Sequence, residues 1–296
     1  MPYLSIAFPA FLGVLIGLRF LAAALLLPLR LKGRTLHLSL LLVLLLPFFG
    51  YTVAVVRNSA GAWFERTRSG IRALLLSIFL YILLLAEATA VGVFTFFFAF
   101  SFEVDIIHVF STVNYYVFLL FISLLSYPAL ILAAYILGSE RSKNPWWIGR
   151  ESDPFKTVSL TSGAIVLMLV LAIAFSWITY RFLPVPVEDY EPVPTSSFSL
   201  ILMLISVSVL APVGEEIYFR GLIFEELGRL WGHLASAFVT SLFFSAAHGN
   251  LVGFPLLFLL GLILAGLKSS TRWILPPMVA HSAYNTAVIL LAYFGF

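Results

Sequence analysis

Cysteine is absent from the 296 residues. Its absence excludes disulfides, thiolate nucleophiles, Cys-ligated zinc and thiol redox chemistry. Any catalytic or metal-binding group must therefore come from His, Asp, Glu, Ser or Thr. Charge is almost as scarce. Charged residues make up 10% of the chain, against about 25% in a soluble domain. A net charge of +3, with the basic residues gathered in loops, gives no footprint for nucleic acid and reads instead as a signal of membrane orientation. Internal repeats are not evident, and no soluble domain stands out.

What remains is apolar. Hydrophobic residues account for 61% of the chain and the mean hydropathy is +1.06. This predicts an all-α fold, a polytopic transmembrane helical bundle of about eight or nine helices at roughly 20 residues per span, in a multi-pass protein of the cell membrane. The apolar runs cover Leu4–Pro28, Leu36–Val56, Ala73–Phe100, Tyr115–Leu137, Val158–Ile178, Phe198–Val213, Leu234–Ala247, Leu251–Leu267 and Trp273–Tyr293. The first run is too long for a signal peptide, has no basic segment before it, and reads as a mature helix. Two regions follow: residues 1–197, with about five helices poor in polar groups, and residues 198–296, which carry nearly all the candidate chemistry.

Basic residues suggest an orientation. Arg57, Arg66, Arg68 and Arg72 cluster in one loop, and Arg141, Lys143, Arg150 and Lys156 in another. Both fall on one face, the cytoplasmic one, if the helices between them cross. Arg220, Arg229, Lys268 and Arg272 are expected on that face too. The loops "SFEVDIIHVFSTVN" and "PVPVEDYEPVP" lack Lys and Arg and belong outside. "RLKGR" at Arg30–Arg34 breaks the pattern. Either the Leu36–Val56 segment, with Pro47 and Gly50, does not cross, or the rule fails there.

An ionisable side chain in the bilayer costs about 2.5–3.5 kcal/mol on insertion scales and is a functional candidate by default. Arg19 and Glu87 are read as structural or snorkelling groups. The remaining candidates are C-terminal. In "APVGEEIYFRGLIFEEL", Glu215 and Glu216 diverge by about 100° around a helix. Glu216 and Arg220 are an i,i+4 pair with the acid first, the favourable order, and read as a structural clamp. Glu215 then lacks a local counter-ion, which suits a general base. Glu225 and Glu226 read as solvated. In "LFFSAAHGN", Phe244 and His248 share a helix face. In "PPMVAHSAYN", Pro276 and Pro277 start a helix on which His281 and Asn285 share a face. His37 and His108 lie near segment ends, and His233 reads as an ordinary loop residue.

Each group alone has a bland reading: a lone His as a helix–helix hydrogen bond, Asn285 as a bridge to a backbone carbonyl. Together they form the parts for hydrolysis. A carboxylate and an imidazole can deprotonate one buried water. A second imidazole and an amide can donate to an oxyanion. Ser245 and Ser282 adjoin the histidines in sequence, but adjacent helix positions diverge, so neither forms a dyad.

The order EEIYFR, FSAAH, HSAYN resembles the motifs of the CPBP family, the CAAX proteases and bacteriocin-processing enzymes, type II CAAX prenyl endopeptidases among them. The resemblance covers about Phe198–Phe296, roughly the last third. It implies an all-helical intramembrane endopeptidase with a hydrated cavity open to the cytosol. By position, Glu215 and His248 activate water, His281 and Asn285 form the oxyanion hole, and Glu216 and Arg220, with Phe244, support the site. The implied partner is a membrane protein or lipidated peptide. A glutamate mechanism without a metal is expected. Two His and a Glu are also a common zinc set, but no HExxH places two His on one face. The competing readings are a zinc-dependent form, a non-proteolytic scaffold or peptide-toxin immunity protein, and a proton-coupled transporter.

Overall fold

The computed structural model describes residues 16–24, 26, 29, 31, 33–63, 70–100, 112–137, 153–182 and 193–295. It is helical, with no strand among the described residues. Four described helices are long and apolar enough to cross a membrane: Tyr115–Leu137, Pro154–Phe182, Ser197–Trp231 and Phe254–Thr271. Of the loops used above to infer orientation, residues 64–69, 101–111, 138–152 and 183–192 lie outside the described residues, His108 among them. The chain divides into two compact units, Met1–Ser139 and Glu140–Phe296.

In the first unit a helical stretch at 16–24 is followed by α1 (Gly33–Leu45), α2 (Pro47–Trp63), α3 (Gly70–Phe100) and α4 (Thr112–Leu137). The Leu36–Val56 run is therefore not one span. It breaks at Leu46 because Pro47 has no N–H and its ring disfavours a helical residue before it. The two halves fold back on each other, so that Val43 and Ala54 share a core with Ala22 and Leu26. Gly50 sits at the closest approach: a Cβ there would lie 2.5 Å from the Val43 nitrogen.

A broken helix exposes carbonyls at one cut end and N–H groups at the other. Arg19 and Glu87 bond there. Arg19 Nε donates to the Leu44 carbonyl at 2.7 Å. Glu87 Oε1 and Oε2 accept from the Phe48 and Phe49 N–H groups at 3.0 and 2.7 Å. Cation at a helix C-terminus and anion at an N-terminus also match the helix dipole. The structural reading of Arg19 and Glu87 acquires a definite content here.

The second unit contains α5 (Pro154–Phe182), α6 (Ser197–Trp231), α7 (His233–Ala247), α8 (Phe254–Thr271) and α9 (Leu275–Phe294). Ala164 and Met168 of α5 pack with Leu260, Leu264 and Leu267 of α8 and Ala280 of α9. Hydroxyls in these apolar helices return to their own backbone, as Thr161 does to the Thr157 carbonyl at 2.7 Å, since no water is at hand to take them.

Helix α6 corrects two expectations. The Phe198–Val213 run does not end at Val213 but continues to Trp231 as one 35-residue helix. Arg220 is thus buried in a helix and not placed in a cytoplasmic loop. Ser196 and Ser199 start the helix with a reciprocal capping box, which satisfies two otherwise orphaned N–H groups. Gly232, at φ 82°, ends it. Lys268 is also no loop residue. It is buried in α8, and its ammonium meets Glu225 Oε1 at 2.5 Å, so Glu225 is an inter-helix brace and not simply solvated. Glu226 pairs with Arg229 at 3.4 Å. His233 opens α7 and stacks on Phe224.

Candidate active site

The π-helical register decides how α6 presents its polar groups. Residues Leu204–Leu210 and Glu216–Ile223 are wound as π-helix, separated by the α-helical turn Ala211–Glu215. Such wide turns are frequent at functional sites. Glu215 lies at the junction. It is 6% exposed, and Glu216 and Arg220 are 0% exposed.

Glu216 joins two helices. Its Oε1 accepts from Arg220 Nη1 at 2.8 Å and lies 3.0 Å from His281 Nδ1 on α9. The clamp read from the i,i+4 spacing is present, and it reaches further than spacing could say. Arg220 also donates from Nη2 to the Gly261 carbonyl of α8 at 3.2 Å. That carbonyl is reachable because α7 and α8 cross tightly at Gly261, where a Cβ would fall 2.9 Å from the Ser241 Cβ. A buried charge stripped of its partner costs about 3–5 kcal/mol, so this three-way bond fixes α6, α8 and α9 together.

Phe244 of α7 is the centre of the remaining contacts. The Arg220 guanidinium carbon lies 4.4 Å from its ring centroid, on the attractive face of the π-system. The His248 and His281 rings meet Phe244 at 4.6 and 5.7 Å between centroids. One ring therefore spaces both imidazoles and the cation, a physical reason for Phe four residues before His.

His248 is the C-cap of α7, followed by Gly249 at φ 64°. Its Nδ1 lies 2.7 Å from the Phe244 carbonyl. A carbonyl only accepts, so Nδ1 carries a hydrogen, and in the neutral ring Nε2 keeps a lone pair. His248 is exposed. The site opens at the end of α7. His281, at 5% exposure, is buried. Ser245 is occupied by the Phe254 carbonyl at 2.6 Å, in keeping with the reading that it is no nucleophile.

Asn285 is half-buried, four residues beyond His281 on α9. Its Nδ2 donates to the Val207 carbonyl in the first π segment at 2.8 Å. That is the backbone bridge named above as the bland reading, and the amide keeps a second N–H. Thus Glu216, Arg220, Phe244, His248 and His281 are in one connected set. Asn285 is tied by its side-chain amide to the backbone of the site helix. Glu215 is buried beside Glu216 and lies within electrostatic reach of Arg220, so it does not lack a local counter-charge as expected from its sequence position. Sequence reasoning missed Gly261, Val207 and the Glu216–His281 bond, which spans 65 positions. A zinc site needs three donors around one point. Among the described residues no three His, Asp or Glu side chains gather so.

Residues 197–287 match the family model of type II CAAX prenyl endopeptidase Rce1-like proteins. This third of the chain is similar to that family. The Rce1-like segment also matches an uncharacterized 24.3 kDa protein of Escherichia coli, 33% identical over 91 residues, which is 29% of this chain and 42% of that protein. A candidate membrane peptidase of Bacillus subtilis (strain 168), YdiL, is 32% identical over 87 residues, 29% of this chain and 36% of that protein. The chain spans less than half the length of these curated relatives. No solved structure matches significantly. The Rce1-like segment begins one residue after the Ser196 cap and ends within α9, so it contains Glu215, Glu216, Arg220, Phe244, His248, His281 and Asn285.

Proposed function

We propose that this chain is an intramembrane endopeptidase that hydrolyses a peptide bond of a membrane-associated or lipidated, CAAX-type protein or peptide. The observation that carries the reading is the buried Arg220–Glu216–His281 chain, packed with His248 on the single ring of Phe244. A structural clamp alone would need neither imidazole. The family match at 197–287 supports the same class of reaction.

In the proposed mechanism a water lies between the Glu215 carboxylate and His248 Nε2. As its oxygen bonds to the scissile carbonyl carbon, its proton passes to this pair. The developing oxyanion accepts from the second Asn285 N–H and from His281 Nε2. With Nδ1–H spent on Glu216, donation from Nε2 requires the imidazolium form, and the Glu216 carboxylate is its counter-charge. Collapse of the intermediate breaks the C–N bond, and the proton held by Glu215 and His248 goes to the leaving amine. Every step uses Glu, His and Asn of the chain itself, which makes this a glutamate-type enzyme.

Purified protein in phospholipid vesicles, offered a farnesylated C-terminal CAAX peptide and its unprenylated form, tests the reading by mass spectrometry of products. The expected result is cleavage that disappears in His248→Ala and persists in chelator. Cleavage lost in chelator and restored by Zn²⁺ would replace the mechanism with a metal-dependent one. Full biological activity of an inert His248→Ala protein would favour the scaffold reading.

A further inference from the structure

Val207, the residue that holds Asn285, has a carbonyl with no donor of its own in the helix. In an α-helix its partner would be the N–H of Ala211. That N–H is taken one residue earlier, by the Ser206 carbonyl, in the π register. The next N–H in that register would belong to residue 212. Residue 212 is proline and has none. The π turn and the proline together leave one carbonyl of a part-buried stretch of helix unpaired from within, and an unpaired carbonyl shielded from water is costly. Asn285 Nδ2 fills it from α9 at 2.8 Å.

The contact also orients the amide. A carbonyl accepts only, so the NH2 end of Asn285 is the end that faces α6. One hydrogen goes to Val207 and the other stays on the same side of the side chain. Without the Val207 acceptor nothing in the described structure would favour this rotamer over its flipped form. Pro212 lies three residues before Glu215, so the same turn that lacks the N–H also leads into the candidate base.

We infer that Pro212 is a positioning residue: by withholding an N–H from the Val207 carbonyl it creates the acceptor that orients Asn285 as an oxyanion donor. The inference deepens the proposed endopeptidase reading and rests on it for its catalytic half. Its structural half stands independently.

The test is a double-mutant cycle in the full-length protein in vesicles. Pro212→Ala supplies an N–H that pairs Val207 within the helix. Asn285→Ala should lower Tm in the native background and lower it distinctly less in Pro212→Ala, because Val207 then has another donor. Equal drops in both backgrounds overturn the inference. For turnover, Pro212→Ala should lower kcat by about tenfold with KM unchanged, less than the ~10²–10³-fold typical of a lost oxyanion donor. Pro212→lactic acid, introduced as a backbone ester, also lacks the N–H and should restore kcat, whereas a requirement for the proline ring itself would leave it inactive. A kcat unchanged in Pro212→Ala, or not restored by the ester, overturns the positioning role. If the unmutated protein cleaves nothing, the endopeptidase reading fails while the Tm cycle still decides whether Pro212 sets the Asn285 contact.

Discussion

Two of the places where this chain sets charge among apolar helices use it differently. In the first unit, Arg19 and Glu87 bond to main-chain groups at the two cut ends of the helix broken before Pro47. In the second, Glu216, Arg220 and His281 bond mainly to one another, and an aromatic ring sits between two imidazoles. Composition marks both sets as costly intrusions. The bonding partner separates them. A charge whose partners are orphaned backbone groups repairs the fold, whereas a charge whose partners are other titratable side chains can pass on a proton or a field.

That comparison can be broken by substitution. The largest effect is expected at His248, where Ala should reduce turnover by about 10²–10⁴-fold, the range for a lost general base, while Tm stays close to native because the side chain is exposed. Unimpaired turnover would put His248 with the structural group. Next comes Arg220→Ala, expected to cost about 3–5 kcal/mol by stripping the buried Glu216 carboxylate of its guanidinium and leaving it His281 alone. Arg220→Lys should not restore stability, because one ammonium cannot reproduce a fork that serves both Glu216 and the Gly261 carbonyl. Thermal unfolding in detergent reads both.

Smaller effects belong to the first unit. Glu87→Ala removes the acceptors for two N–H groups of α2 and should cost about 1–2 kcal/mol, the scale of a lost N-cap. The surviving folded fraction should keep its turnover. Arg19→Ala should cost least, about 0.3–1 kcal/mol, the range for a cation at a helix C-terminus, read from the same unfolding curves. An Arg19 effect as large as that of Arg220 would erase the distinction between the two regions.

Much of this architecture was legible in the sequence because apolarity and proline act locally. The spans at Tyr115–Leu137 and in α5, the helix start at Pro276 and Pro277, and the end of α7 at His248 follow from composition and a few breakers. Pro47 and Gly50 raised doubt about one span, and they are the break and the close approach that divide it. The Glu216–Arg220 pair was readable because four residues separate its members. Less was readable where partners are distant: Glu216 with His281, Arg220 with Gly261, Glu225 with Lys268. The π segments of α6 were invisible because a change of register leaves the apolar pattern intact.

The most direct test exchanges a carboxyl for an amide at the two contrasted sites, Glu215→Gln and Glu87→Gln, and measures peptide cleavage in vesicles alongside Tm for each. Our account predicts that Glu215→Gln abolishes cleavage at native Tm, and that Glu87→Gln lowers Tm yet cleaves normally per folded molecule. Normal cleavage by Glu215→Gln, or loss of cleavage in Glu87→Gln at native Tm, would contradict it.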